Sequence, residues 1–367
     1  MTDDYGYANA RLRAMKSRLL DARTYEELLG KDEVSEIISS LTQTIYKPEI
    51  EAALVKYGGA RCVTEALRLN FSRTMRKILS FFQGEPCRLL RILLGRWDVI
   101  NIKTILRGQS RGVSPDEIME ALVLAGELDE VALGRMARQP DIKASIDLMA
   151  TWGIVYARPL AIAMGVYAES EDLADLELAL DKFYYDHAAR QLKDRALQLR
   201  GGSYNIVLAR EMLDAEIDVT NIMTILRLSR LRDRDEKLQA KYGTSDYETL
   251  LITSGGGLDS YQLSNLWAMT AVEDVVQGLA RTPYGPFLEK GLAEYLQTGD
   301  MSSLQRGLER FVVRKGIGMF RRDPLSIAIA IGYIWAKYNE VVNLRIIAQG
   351  KAVGLDKAAI KRELILV

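Results

Sequence analysis

An acid followed three residues later by an asparagine occurs three times, as Asp98–Asn101, Asp218–Asn221 and Glu340–Asn343. At that spacing both side chains share one helix face, where a carboxylate and a carboxamide can act together as acceptors and donors. The first asparagine lies among Ile102, Ile105 and Leu106. An amide buried there must be hydrogen-bonded. Two arrangements are open. Each asparagine clamps a helix end or a loop within its own copy, or the three face a common axis as a polar ring. Catalysis needs different groups in different roles, so three like pairs do not read as an active site. The clamp reading expects Asn221→Ala to lower stability by about 1–3 kcal/mol, the cost of an unmade buried hydrogen bond.

Other candidates for chemistry are sparse. His187, the single histidine, lies in the aromatic run Phe183-Tyr184-Tyr185-Asp186-His187. One imidazole removes every centre that needs two, HExxH zinc sites included, and its ordinary place is a hydrogen-bonded helix position. Cys62 and Cys87 form no CxxC and no disulfide framework, so they read as two free thiols. Neither GxSxG nor SxxK stands in a usable context. GxxxxGK[ST] is absent, and no GxGxxG follows a strand. Gly255-Gly256-Gly257 precedes Leu258-Asp259-Ser260. A glycine turn before a helix can bind an anion, but no lysine follows at phosphate-loop spacing. It reads as a connector, as do Gly58-Gly59 and Gly201-Gly202.

The elements that carry these residues are helices. Val34, Ile37, Ile38 and Leu41 make one apolar stripe, and Val272, Val275, Val276 and Leu279 make another. Runs alternating with period two are scarce, and the 8 prolines leave room for long helices. Ser114-Pro115-Asp116-Glu117 reads as a helix start, and Gly108, Gly112, Gly350 and Gly354 as helix ends. The fold class is all-α.

The helices repeat. Trp97–Gly108, Ile217–Leu228 and Asn339–Gly350 align, with their asparagines 120 and 122 residues apart. The stripe Val34–Leu41 matches Val272–Leu279, continuing through Thr44/Thr282, Tyr46/Tyr284 and Pro48/Pro286. Leu128-Asp129 matches Leu258-Asp259, and Leu180–Phe183 echoes Leu308–Phe311. Gly108, Gly112 and Ile118 match Gly350, Gly354 and Ile360. The expected domains are 1–115, 116–235 and 236–367, longer than the ~34–47 residues of common helical repeats.

With 367 residues the chain can bury a large core. Its 49 Lys+Arg balance 49 Asp+Glu, which argues against a nucleic-acid binder working by bulk attraction. The start MTDDYGYANARLRAMKSRLL puts acids before bases and has no apolar core, unlike a signal peptide. The apolar stretches Ile146–Ala168 and Ile327–Ala336 are interrupted or short against the roughly 20 residues a membrane span needs.

The opening Tyr5-Gly6-Tyr7-Ala8-Asn9-Ala10-Arg11, the following Met15-Lys16-Ser17-Arg18-Leu19-Leu20 and the tripled asparagine motif resemble the C subunits of archaeal-type (A-type, also V-type) ATP synthases, relatives of the d subunit of eukaryotic V-ATPases. The resemblance spans nearly the whole chain. Two departures stand out: Leu228 replaces the glycine of the other copies, and Gln349 replaces Arg107 and Arg227. The resemblance implies three similar helical domains about a pseudo-threefold axis, shaped as a funnel. It implies a non-catalytic central-stalk component, peripheral at the cytoplasmic face of the cell membrane. Its partners would be the central-shaft subunits and the membrane proteolipid ring. It implies no cofactor, metal, nucleic acid or small-molecule substrate. Asp98, Asp218 and Glu340 are then expected to help shape the shaft socket. The residues alone also admit a helical-repeat adaptor with an open groove. An enzyme is a third reading, for which nothing organises a site.

Overall fold

The computed structural model describes residues 5–198, 203–232 and 247–366. Gly201-Gly202 and the expected boundary at 235/236 lie outside the described residues, while the boundary at 115/116 falls inside the helix Pro115–Ala121. Helices dominate, and no strand occurs among the described residues. The stripe at Val34–Leu41 forms a helix over those residues, and Val272–Gly278 forms its counterpart. Ser114 caps its helix by accepting the Glu117 N–H. Gly112 and Gly354 adopt φ of +65° and +74° just past two helix ends, and there Val113 and Leu355 donate back to the Gly108 and Gly350 carbonyls. No described helix is long and apolar enough to cross a membrane.

The chain divides into two compact units, one of residues 1–177 with 316–367, the other of 178–315. Both divisions fall inside helices, Leu173–Gln198 and Ser302–Gly318. In the first unit the helix Ala328–Ala352 is the centre. It is buried on nearly every face, including the polar Lys337, Asn339, Glu340 and Asn343. It packs on Gly59–Leu79 and Tyr5–Lys16. Trp97, Phe71, Trp335 and Tyr338 meet edge-on, with Phe71–Trp97 and Trp97–Tyr338 centroids 5.1 and 5.7 Å apart. That cluster ties Gly84–Ser110 to the two central helices. Gly108 faces Ile118, and Gly350 faces Ile360. The second unit packs Tyr204–Arg232 on Ser260–Ala268 and Val272–Gly278. Tyr284 meets Phe311 at 4.6 Å on its other side. Its long helix carries Leu228 and runs through Arg232.

The three copies share one arrangement. A long asparagine helix leads, and the chain after it folds back on it. Gly84–Ser110 is followed by residues 115–170, and Tyr204–Arg232 by residues 247–315. Ala328–Ala352 is followed by Lys357–Glu363, and its copy is completed by residues 20–79 from the far end of the chain.

Candidate functional site

The most specific polar feature is the tripled acid and asparagine, and each pair meets backbone of its own copy. Asn101 Nδ2 donates to the Val123 carbonyl at 2.8 Å while Val123 N–H donates to Asn101 Oδ1 at 2.8 Å. Asn221 makes the same two bonds with Ile252, both 2.8 Å. Asn343 makes them with Ile365, both 3.0 Å. The planar carboxamide thus stands in for a backbone peptide and holds one extended residue. Leu122, Leu251 and Leu364, just before the held residues, are buried against the core.

The acids hold a second loop. Glu127 and Leu128 N–H groups donate to Asp98 Oδ2 and Oδ1 at 2.9 and 3.0 Å. Gly257 and Leu258 donate to Asp218 at 2.8 and 3.2 Å. Glu340 Oε2 accepts from Leu20 N–H. In every copy an aspartate follows the held leucine and caps the next helix: Asp129 to Ala132, Asp259 to Gln262 and Asp21 to Thr24. Leu20-Asp21 is therefore the third member of the Leu-Asp set, which sequence comparison limited to two. A tyrosine completes each arrangement at the N-terminus of a later helix. Tyr46 donates to Glu340 Oε1 at 2.6 Å and Tyr284 donates to Asp218. Tyr156 donates to the Gly95 carbonyl at 3.4 Å. Thr44 and Thr282 accept the Tyr46 and Tyr284 N–H groups, which accounts for the Thr-x-Tyr match between those copies.

Burial sets the electrostatics. Asp98, Asp218 and Glu340 are 1–2% exposed, and the three asparagines no more than 1%. Desolvation pushes the Asp98 carboxyl up to about 6 despite the two N–H donors that oppose it. Desolvation also raises Asp218, against Tyr284 and the Gly257 and Leu258 N–H groups. The third copy differs by adding a cation. Lys337, fully buried, donates to Glu340 Oε1 at 2.8 Å and to Tyr46 Oη at 2.7 Å. Gly95 and Ala215 stand at that position in the other copies. Burial pulls the Lys337 ammonium down, and Glu340 opposes it.

Acid length follows the loop. A Cβ on Gly126 would lie 2.1 Å from Asp98 Oδ1, and one on Gly256 would lie 2.5 Å from Asp218 Oδ1. Gly256 also takes φ +105°, open only to glycine. Two residues before Leu20 the third copy has Arg18 rather than glycine. There the acid is glutamate, one methylene longer. The N–H groups of the glycine triplet are thus directed at carboxylates, Gly256 to Asp214 and Gly257 to Asp218. That is the reverse of a phosphate cradle.

The remaining candidates form no reacting set. His187 stacks on Phe183 and bonds Gln191. Burial pushes the Cys62 thiol up, away from the reactive thiolate. No group of three or more metal-ligating side chains occurs among the described residues.

The profile of the ATP synthase (C/AC39) subunit family matches residues 8–363. The chain is 30% identical to the C subunit of the A-type ATP synthase of Methanosarcina acetivorans, over 100% of this chain and 94% of that protein. It is 28% identical to the C subunit of the A-type ATP synthase of Haloferax volcanii, covering 98% and 97% of the two chains. It is also 28% identical to the C subunit of the V-type ATP synthase of Deinococcus radiodurans, covering 99% and 92%.

Proposed function

We propose, for a chain that belongs to the ATP synthase (C/AC39) subunit family, that it is a non-catalytic central-stalk component of an A-type or V-type ATP synthase. In this role it seats the central shaft on the membrane proteolipid ring at the cytoplasmic face and passes torque between ATP turnover and ion flow. Its three copies would stand as three domains about a pseudo-threefold axis, with the shaft in a funnel mouth. The observation that carries the reading is the triple tie in each copy. Asparagine and acid hold two segments on one long helix, and a tyrosine packs against the same helix. A part that transmits force needs loops that do not yield, and buried, fully bonded polar groups rigidify them.

The acids' share in a shaft socket is then indirect. Their oxygens are taken up by backbone N–H groups, so they shape a socket by fixing the loops around it. Charge reversal at Asp98 or Asp218 would disturb the fold before it reached a partner. The test is capture from membranes solubilised in mild detergent. Tagged protein should bring down a shaft protein and the proteolipid ring. Capture of neither, with the rest of the motor intact, overturns the role.

A further inference from the structure

A cleft of about 640 Å³ opens in the first unit beside Tyr333, the turn at Thr44–Ile45 and the start of the helix Lys47–Leu54. Every charged residue lining it is a cation: Arg18, Lys47, Arg73 and Lys77. Arg73 is paired with Glu49 at 2.6 Å, and Lys47 lies 3.8 Å from Glu51. Arg18 and Lys77 meet no carboxylate among the described residues. Asn70 also lines the cleft and is 2% exposed. Its Nδ2 donates to Glu49 Oε2 at 3.0 Å, whereas its buried Oδ1 has no donor. A buried acceptor is costly to leave unpaired unless something donates to it.

The charge is foreign to the repeated architecture. Arg18 stands where the other copies have Gly126 and Gly256, and Lys47, just after Tyr46, stands where they have Ala157 and Gly285. Those copies build the same ties without either cation. The cations therefore answer to something other than folding.

We propose that this cleft binds a small phosphorylated anion that also carries a hydroxyl. Phosphoryl oxygens would take the charge-assisted bonds of Arg18 and Lys77 and the free faces of Arg73 and Lys47. The hydroxyl proton would go to Asn70 Oδ1. The volume lies within the roughly 300–1,000 Å³ usual for small-ligand sites. The inference does not depend on the rotor role.

Inorganic pyrophosphate is the probe, since it retains one ionisable proton near neutral pH. Titration calorimetry at low ionic strength, where screening is least, should show one saturable site on the full chain. Arg18→Gly with Lys47→Ala installs the residues of the sister copies and should weaken binding at least about ten-fold, equivalent to about 1.4 kcal/mol, with the melting temperature kept. If that pair fails to fold, Lys77→Gln, at an exposed position, should weaken binding by a smaller factor. Sulfate, which carries no proton at this pH, should bind more weakly than pyrophosphate. No heat up to about 1 mM pyrophosphate, unchanged affinity in the variants, or equal affinity for sulfate would overturn the assignment.

Discussion

Lys337 and Glu340 are a buried ion pair with Tyr46 as third member, and their energetics differ from those of the other acids. Removing one partner strands the other charge. Lys337→Met is expected to cost about 3–5 kcal/mol, while Lys337→Met with Glu340→Gln should recover much of it; urea denaturation of both variants measures the difference. Asp98 has no cation partner among the described residues, and the two N–H donors are what offset the cost of burying its charge. Its folded carboxyl titrates near 6 against an ordinary 3.8. A raised carboxyl stabilises most when protonated, so its contribution is complete below about pH 4 and is lost as pH rises through about 6. The stability of the parent relative to Asp98→Asn should fall by on the order of 2–3 kcal/mol across that window. Denaturation series at pH 4 and pH 7 decide it, and a constant difference refutes it. Asn221→Ala should cost about 1–3 kcal/mol, because both Ile252 backbone groups lose their partner.

Between elements, the coupling of glycine to aspartate makes a sharper test. Gly126→Ala drives a methyl into Asp98 and should cost about 1–3 kcal/mol. Adding Asp98→Glu recreates the pairing of the third copy and should restore part of the loss; a larger combined loss would reject the account. Much at this scale was legible in sequence. The stripe at Val34–Leu41, the Ser114 cap and the two glycine-ended helices follow local rules of periodicity and capping. The tripled acid–asparagine pair was visible because helix spacing is fixed. What each pair grips was not. Val123 and Ile365 lie 22 residues on, whereas Ile252 lies 31 on, so no single spacing announces them. Leu20-Asp21 escaped because its acid is 320 residues away and no glycine precedes it. Tyr46 and Tyr284 matched between copies and Tyr156 did not, and only packing brings the three to the asparagine helices.

At the scale of the whole molecule, the pieces of one copy come from opposite ends of the chain. Asn9 Nδ2 donates to the Pro324 and Ser326 carbonyls at 2.8 and 2.9 Å. Lys357 and Lys361 reach Glu26. Tyr46 is fully buried against Glu340. A chain arrested before Ala328 should therefore leave residues 20–79 open to protease, while residues 84–170, whose acid, asparagine and tyrosine ties all fall within that segment, stay more resistant. Limited proteolysis of such an arrested chain tests this, and equal resistance of both segments would contradict it.

The same feature sets a schedule for synthesis. A ribosome adding about 5–20 residues per second needs roughly 10–50 seconds to travel from Leu79 to Ala328. Through that interval the first-made segment waits with Tyr46, Ile50 and Leu67 unburied, dependent on chaperones or on luck. A message cut short would yield a chain that never closes. Only a chain translated through the last long helix can bury these residues.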